Sequence, residues 1–190
     1  MRKNKAKALL IGILLFTLAS CAHAPDSFRD ENMDFSAVKT VAVMPFANLS
    51  PDSLASERVR DTFSTMLLST GAFYVLPPGE VARGISRVGI SNPASPTAEE
   101  VVKLGSALGV GGVITGVVRE YGEVRSASTT ANSISLSVAM LEAQTGRVVW
   151  KASSTEGGIT IWDRMFGGGG KPMNDVTVKA VNDLLDKLFK

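Results

Sequence analysis

The run Val38-Lys39-Thr40-Val41-Ala42-Val43-Met44-Pro45-Phe46 is apolar and β-branched, and it ends on a proline followed by the turn formers Asn48, Ser50 and Pro51. That is the pattern of a buried strand. Beyond it, Ala55, Val59, Phe63, Met66 and Leu67 share one face of a helix that Asp52 or Ser53 can cap and Gly71 can end. Phe73-Tyr74-Val75-Leu76, closed by Pro77 and Pro78, forms a second strand, so the domain opens β-α-β. A short helix is expected over 80–87. After a loop rich in Gly, Ser, Asn and Pro, Thr97 and Glu100 stand at capping-box spacing ahead of Val101, Leu104, Ala107, Leu108 and the terminator Gly109.

From Val110 the period changes. Val113-Ile114-Thr115-Gly116-Val117-Val118 reads as a strand, and Ile134, Leu136, Val138 and Met140 alternate with small or polar residues across 133–141. Such alternation marks a half-buried antiparallel strand. Gln144-Thr145-Gly146 turns the chain into Arg147-Val148-Val149-Trp150-Lys151, completing a hairpin. Asn174 is placed to cap a last helix in which Val178, Val181, Leu185 and Leu188 recur at helical spacing. The expected fold class is α/β: one domain over 37–190 with a mixed sheet of about five strands flanked by three to four helices.

The first 36 residues behave differently. Arg2, Lys3, Lys5 and Lys7 precede an apolar run over 8–19, then Ser20 and Cys21. This is the order of a secretion signal, and a run of roughly a dozen residues is shorter than the ~20 needed for a membrane-spanning helix. Leu18-Ala19-Ser20-Cys21 resembles the bacterial lipobox, whose cysteine receives a diacylglycerol before the signal is cut off in front of it. Cys21 is the only cysteine of the chain; an ordinary secreted thiol would have no partner here, whereas lipidation accounts for a single one. Residues 1–20 are therefore expected to be a cleaved signal peptide, and 21–36 a lipidated terminus and polar tether that reaches about 50 Å when extended.

Cleavage changes the electrostatic picture. Losing four of the 20 basic residues and none of the 18 acidic ones turns a formal charge of +2 into about −2. The basic balance of the precursor belongs to the signal and gives no ground for nucleic-acid binding.

Candidate chemistry is sparse. The only histidine, His23, lies in the tether, so no Ser-His-Asp or Cys-His arrangement is available. With the one thiol acylated, no His/Cys metal site remains either. Gly109, Gly111, Gly112 and Gly116 lie between a helix and the following strand, the reverse of a phosphate-binding loop. Gly167-Gly168-Gly169-Gly170-Lys171 ends like a P-loop, but Met165 and Pro172 occupy positions where that motif has Gly and Ser or Thr. The carboxylates Glu99 and Glu100, and Glu120 and Glu123, are accounted for by a helix dipole or by solvation. No catalytic residue, cofactor or metal is expected beyond the covalent lipid on Cys21, and no small-molecule substrate. The segment Ile159-Thr160-Ile161-Trp162-Asp163-Arg164-Met165-Phe166 is aromatic and runs into the glycines. Ile161, Trp162 and Phe166 either dock on a neighbouring subunit or the membrane interface, or cover one edge of their own sheet.

Three stretches carry a family resemblance: Val41-Ala42-Val43-Met44-Pro45-Phe46 with Asn48-Leu49-Ser50, then LGVGGVITGVVREY over 108–121, and LEAQTGRVVWKAS over 141–153. Together they resemble the superfamily of outer-membrane lipoproteins that includes the curli-secretion protein CsgG, the penicillin-binding-protein activator LpoB and a meningococcal surface lipoprotein. The resemblance covers roughly 38–155 and most of the last helix. It implies a non-catalytic protein that assembles with itself or serves as an adaptor. Ala22 stands where an inner-membrane retention signal has aspartate, which favours sorting to the outer membrane, facing the periplasm. The expectation is a lipid-anchored structural or accessory subunit of an envelope assembly, with curli-type secretion or export as its example. It would contact other envelope proteins and further copies of itself. The alternative is a monomeric adaptor or activator of a peptidoglycan-synthesis enzyme.

Overall fold

The computed structural model describes residues 26–126, 129–158 and 170–190. Its elements in chain order are β1 (Ser27–Arg29), a 3-10 turn at Phe35–Ala37, β2 (Thr40–Val43), β3 (Ala47–Asn48), α1 (Ala55–Ser69), β4 (Tyr74–Val75), α2 (Pro78–Val88), α3 (Ala98–Leu108), β5 (Gly112–Ser126), β6 (Thr129–Glu142), β7 (Val148–Gly157) and α4 (Met173–Phe189). They form one mixed α/β sheet in the order β1-β7-β6-β5-β2-β4, with β3 also paired to β5. Parallel pairing holds the β-α-β part together, β2 lying between β4 and β5. From β5 onward the sheet is antiparallel.

The alternation in the sequence becomes two cores on opposite sheet faces. Val41 and Val43 turn to the face covered by α1 and α4, with Phe63, Leu67, Leu136, Val138, Trp150, Val181 and Leu184 buried around them. Ala42 and Met44 turn the other way, toward Val81, Val101 and Leu104 of α2 and α3. Two residues per strand period and one stripe per helix are enough to generate both layers. Trp150 is fully buried and satisfies its indole by donating from Nε1 to the Lys187 carbonyl at 3.2 Å.

Helix ends follow their chemistry with two departures from expectation. Thr97 and Glu100 close the capping box in both directions, at 3.2 and 2.8 Å. Helix α1 instead starts after Leu54, without a side-chain cap. Asp52 lies two positions ahead of the cap: its carboxylate accepts from the Leu54 amide and pairs with Arg58, both at 2.9 Å. Helix α4 begins directly after Pro172, whose extended backbone launches it, so Asn174 is inside the first turn and is not the cap.

Two differences bear on function. The polar segment read as tether is bound to the domain from Asp26 onward: β1 pairs antiparallel with β7, Ser27 opposite Ala152 and Arg29 opposite Trp150. All three side chains, Phe28 included, are exposed, so the strand has no buried face to read in the sequence and its contribution to the sheet is made by the backbone. The strand expected over 113–118 also continues through a bulge between Val118 and Glu120 to Ser126, pairing with β6 up to Ser126 opposite Thr129. The extension lengthens β5 without adding a strand, while β1 and the short β3 give seven strands where about five were expected.

Candidate interaction surface

Of the residues singled out from the sequence, Cys21, Ile161, Trp162 and Phe166 lie outside the described residues. The flanks of the aromatic segment are placed. The Gly158 amide donates to the Asn132 carbonyl at 2.8 Å, and Asn132 Nδ2 donates to the Lys171 carbonyl at 2.8 Å. Gly170 packs so closely on Ala131 that an added Cβ would come within 2.7 Å of its Cα. The chain therefore leaves and re-enters the fold at one place, beside 131–132 of β6.

That place is the root of a two-stranded ribbon. Strand β7 pairs with β6 only as far as Gly157 opposite Ser133, and β3 pairs with β5 only as far as Val118. Beyond these points Glu123–Ser126 and Thr129–Asn132 pair with each other, and among the described residues no third strand joins them. The ribbon carries Glu120 and Glu123, both exposed, together with Arg119 and Arg125. Glu99 and Glu100 sit in the first turn of α3, where Glu100 is spent on the capping box. The sequence pairs these carboxylates by proximity, and the structure separates their roles into solvation and capping. Among the described residues no three His, Cys, Asp or Glu side chains gather into a metal-sized group, and no helix is long and apolar enough to cross a membrane.

A polar clamp fixes the start of the described chain. Lys187 Nζ lies 2.6 Å from Asp26 Oδ2 and 2.7 Å from Asp183 Oδ2, and it donates to the Ser153 carbonyl at 2.9 Å. Burial works against its charge, but the hydrogen bonds it donates to Asp183 and Asp26 outweigh this and hold the ammonium pKa above the ordinary value. The Ser153 amide donates to the Asp26 carbonyl at 2.8 Å. Arg29 Nη1 donates to the Leu188 carbonyl while its guanidinium lies 3.9 Å from the Phe35 ring centroid. Apart from the i,i+4 pair Asp183–Lys187, no local sequence pattern announces this clamp, since its bonds to Asp26 and Arg29 join residues more than a hundred positions apart.

Among the described residues the second sheet face is only partly covered. Helices α2 and α3 pack on it near Val113 and Leu141. Further along, Thr115 and Val117 of β5, Ser137 and Ala139 of β6, and Lys151 of β7 line an open cleft of about 250 Å³ whose rim is the 94–96 loop. Ser135 and Thr155 continue the same face, Thr155 Oγ1 donating to Ser135 Oγ at 3.1 Å. Small side chains leave this face flat. Its polar groups are weakly basic at the margin and make no acid-base pair.

Comparison with known proteins gives the fold a setting. No curated protein sequence matches the chain. Among solved structures it is similar to the PelC dodecamer from Paraburkholderia phytofirmans, with 14% identity, a TM-score of 0.57, and coverage of 85% of this chain and 95% of that one. It is also similar to the lipoprotein GNA1162 from Neisseria meningitidis, with 18% identity, a TM-score of 0.56, and coverage of 80% and 98%. At these identities the likeness is one of fold. The C-terminal domain of LpoB from Escherichia coli aligns over 66% of this chain and 87% of that one, with 16% identity and a TM-score of 0.49. The GNA1162-like family model matches residues 30–182, from the end of β1 into the last helix, and so takes in all three stretches that carried the resemblance in the sequence. The chain belongs to the GNA1162-like lipoprotein family.

Proposed function

We propose that the protein is anchored in the outer membrane by a lipid on Cys21, faces the periplasm, and serves without catalysis as a structural or accessory subunit of an envelope assembly of the secretion or export type. The observation that carries this reading is the flat, half-covered sheet face of β5, β6 and β7, built from Thr115, Val117, Ser135, Ala139 and Lys151. A broad surface of small side chains suits contact with another protein better than capture of a small ligand in a deep pocket. Self-association is supported by PelC, whose solved structure is a dodecamer. The lipid anchor is supported by the lipobox-like Leu18-Ala19-Ser20-Cys21 and by membership of a lipoprotein family. Ile161, Trp162 and Phe166 belong to the proposed contact, since their segment is rooted beside the ribbon at Gly158 and Gly170.

The test has two parts. Mass spectrometry of the mature N-terminal peptide is expected to find acylated Cys21, and an unmodified thiol would remove the anchor. Light scattering of the lipidated protein in detergent, beside a soluble form starting after Cys21, is expected to give a discrete oligomer that Trp162→Ala or Phe166→Ala dissolves. Strictly monomeric behaviour of both forms would replace the assembly reading with that of a monomeric adaptor.

A further inference from the structure

The part of the second sheet face left bare by α2 and α3 has the dimensions of one more helix. Along β7 it runs from Val148, which lines the cleft, to Thr155, about 23 Å at ~3.3 Å per residue. Across β5, β6 and β7 it is two strand spacings wide, about 10 Å, the diameter of an α-helix. Small side chains, Thr115, Ser137 and Ala139, form its floor. Arg119 and Lys151 are its charged groups; no carboxylate is among the described residues that line it, and neither cation makes an ion pair among them.

On the other side of the sheet, α1 turns Ala55, Val59, Phe63 and Leu67 to the core. Helical spacing then puts Leu54, Glu57, Asp61, Ser64 and Leu68 on one outward stripe. Leu54 and Leu68, 50% and 53% exposed, stand about 21 Å apart at ~1.5 Å per residue. Arg58 is spent on Asp52, whereas Glu57 and Asp61 make no ion pair among the described residues and outnumber Arg60. Beside the stripe, α1 and Pro78 border an open hollow of about 360 Å³.

We infer that the outward stripe of α1 from a second copy lies along the bare strip, Asp61 over Lys151, so that copies join head to tail. The inference rests on the self-association proposed above and names the two surfaces that meet. Their lengths agree, about 21 Å against about 23 Å. Their register is the same whichever way the helix runs, because Asp61 is midway between Leu54 and Leu68, and Lys151 is near the middle of 148–155. Two carboxylates without partners thereby face two cations without partners. One leucine falls at the Val148 end, where Phe28, 51% exposed, borders the same face opposite Lys151. The hollow beside the stripe gives room to the rim of the cleft, the 94–96 loop. Strip and stripe lie on opposite sides of the sheet, so each contact leaves one of each unused, and the pairing repeats into a ring or a filament instead of ending at a two-fold dimer.

The experiment uses the full lipidated protein in detergent, where acylation occupies Cys21 and Asp61→Cys and Lys151→Cys each add one free thiol. Mixed under oxidising conditions, these two variants are expected to form a disulfide with each other, and neither with itself. In light scattering, Lys151→Glu and Asp61→Lys are each expected to raise the concentration of half-assembly about tenfold or more, and the two combined in one chain to bring it back. Both positions are exposed, and thermal unfolding checks that the variants keep the fold. A wild-type oligomer indifferent to both reversals, a double reversal that stays dissociated, or a Lys151→Cys variant that crosslinks to itself overturns the inference and leaves self-association standing. A wild type that is monomeric at every concentration overturns both.

Discussion

Gly116 sits in the middle of β5 with the Phe46 ring laid across it: a Cβ built on Gly116 would stand 2.7 to 2.8 Å from three ring carbons. The ring has nowhere to withdraw, since Phe46 packs on the fully buried Phe63 with centroids 5.9 Å apart. Replacing a mid-strand glycine by alanine ordinarily stabilises by about 0.5–1 kcal/mol, because less backbone freedom is lost on folding. Here an inserted methyl forces overpacking that costs about 1–3 kcal/mol. Gly116→Ala is therefore expected to lose about 1–2 kcal/mol net, with the opposite sign to the ordinary substitution. Phe46→Ala alone should lose about 3–5 kcal/mol, and on that background Gly116→Ala should be neutral or stabilising, since the methyl enters the space the ring has left. The assay is urea unfolding of a soluble form starting after Cys21, comparing midpoints at constant slope in a four-member cycle. A stabilising Gly116→Ala in the wild-type background, or additive losses in the double variant, would refute the argument.

Lys187→Met should free the start of the chain, losing about 1–2 kcal/mol because both partner carboxylates are partly solvated, and limited proteolysis should then cut within 26–38 sooner. Since the Lys187 pKa is raised in the folded state, its contribution is complete below the ordinary lysine value and fades as pH rises through the folded one, so the gap between wild type and Lys187→Met should narrow only in strongly alkaline solution, as read from thermal unfolding across pH. Thr97→Ala removes the hydroxyl that accepts from the Glu100 amide, leaving the bond from the Thr97 amide to the Glu100 carboxylate, and should lower stability by about 1 kcal/mol in urea unfolding. Ser154 Oγ is buried with no hydrogen-bond partner among the described residues, so Ser154→Ala should be neutral or gain up to about 1 kcal/mol in the same assay.

What could be read in the chain was whatever buries a stripe. The β2 run, the capping box of α3, the alternation of β6 and the heptad-like face of α4 all commit apolar side chains to a core, and each was legible. The ribbon was not. Beyond Val118 only Tyr121 packs on the core, and Gly122, Glu123, Val124 and Arg125 after it carry no apolar pattern. Strand β1 escaped for a related reason: its hold on β7 is backbone hydrogen bonding reinforced by Lys187 and Arg29, and neither leaves a local trace. The N-terminal boundary of α1 moved because Asp52, two residues ahead of the cap position, accepts from Leu54 and spends its second oxygen on Arg58. As for the contact surface, the sequence points to aromatic residues of 159–166, while the sheet face beside it is built of Ser, Thr and Ala, which read as unremarkable strand residues.

Strand β1 also bears on the order in which the molecule completes itself. It is synthesised first, yet its partner β7 lies at the far end of the chain, with Ser27 meeting Ala152. Until 148–157 has been made and folded against β6, β1 has nothing to pair with, and until β1 arrives β7 shows a bare row of amides and carbonyls. An open edge of that kind is a template for pairing with another chain. The first strand to be made thus acts as the last closing piece of the sheet, and a chain trimmed past Asp30 would be left with its β7 edge unsealed and prone to aggregate.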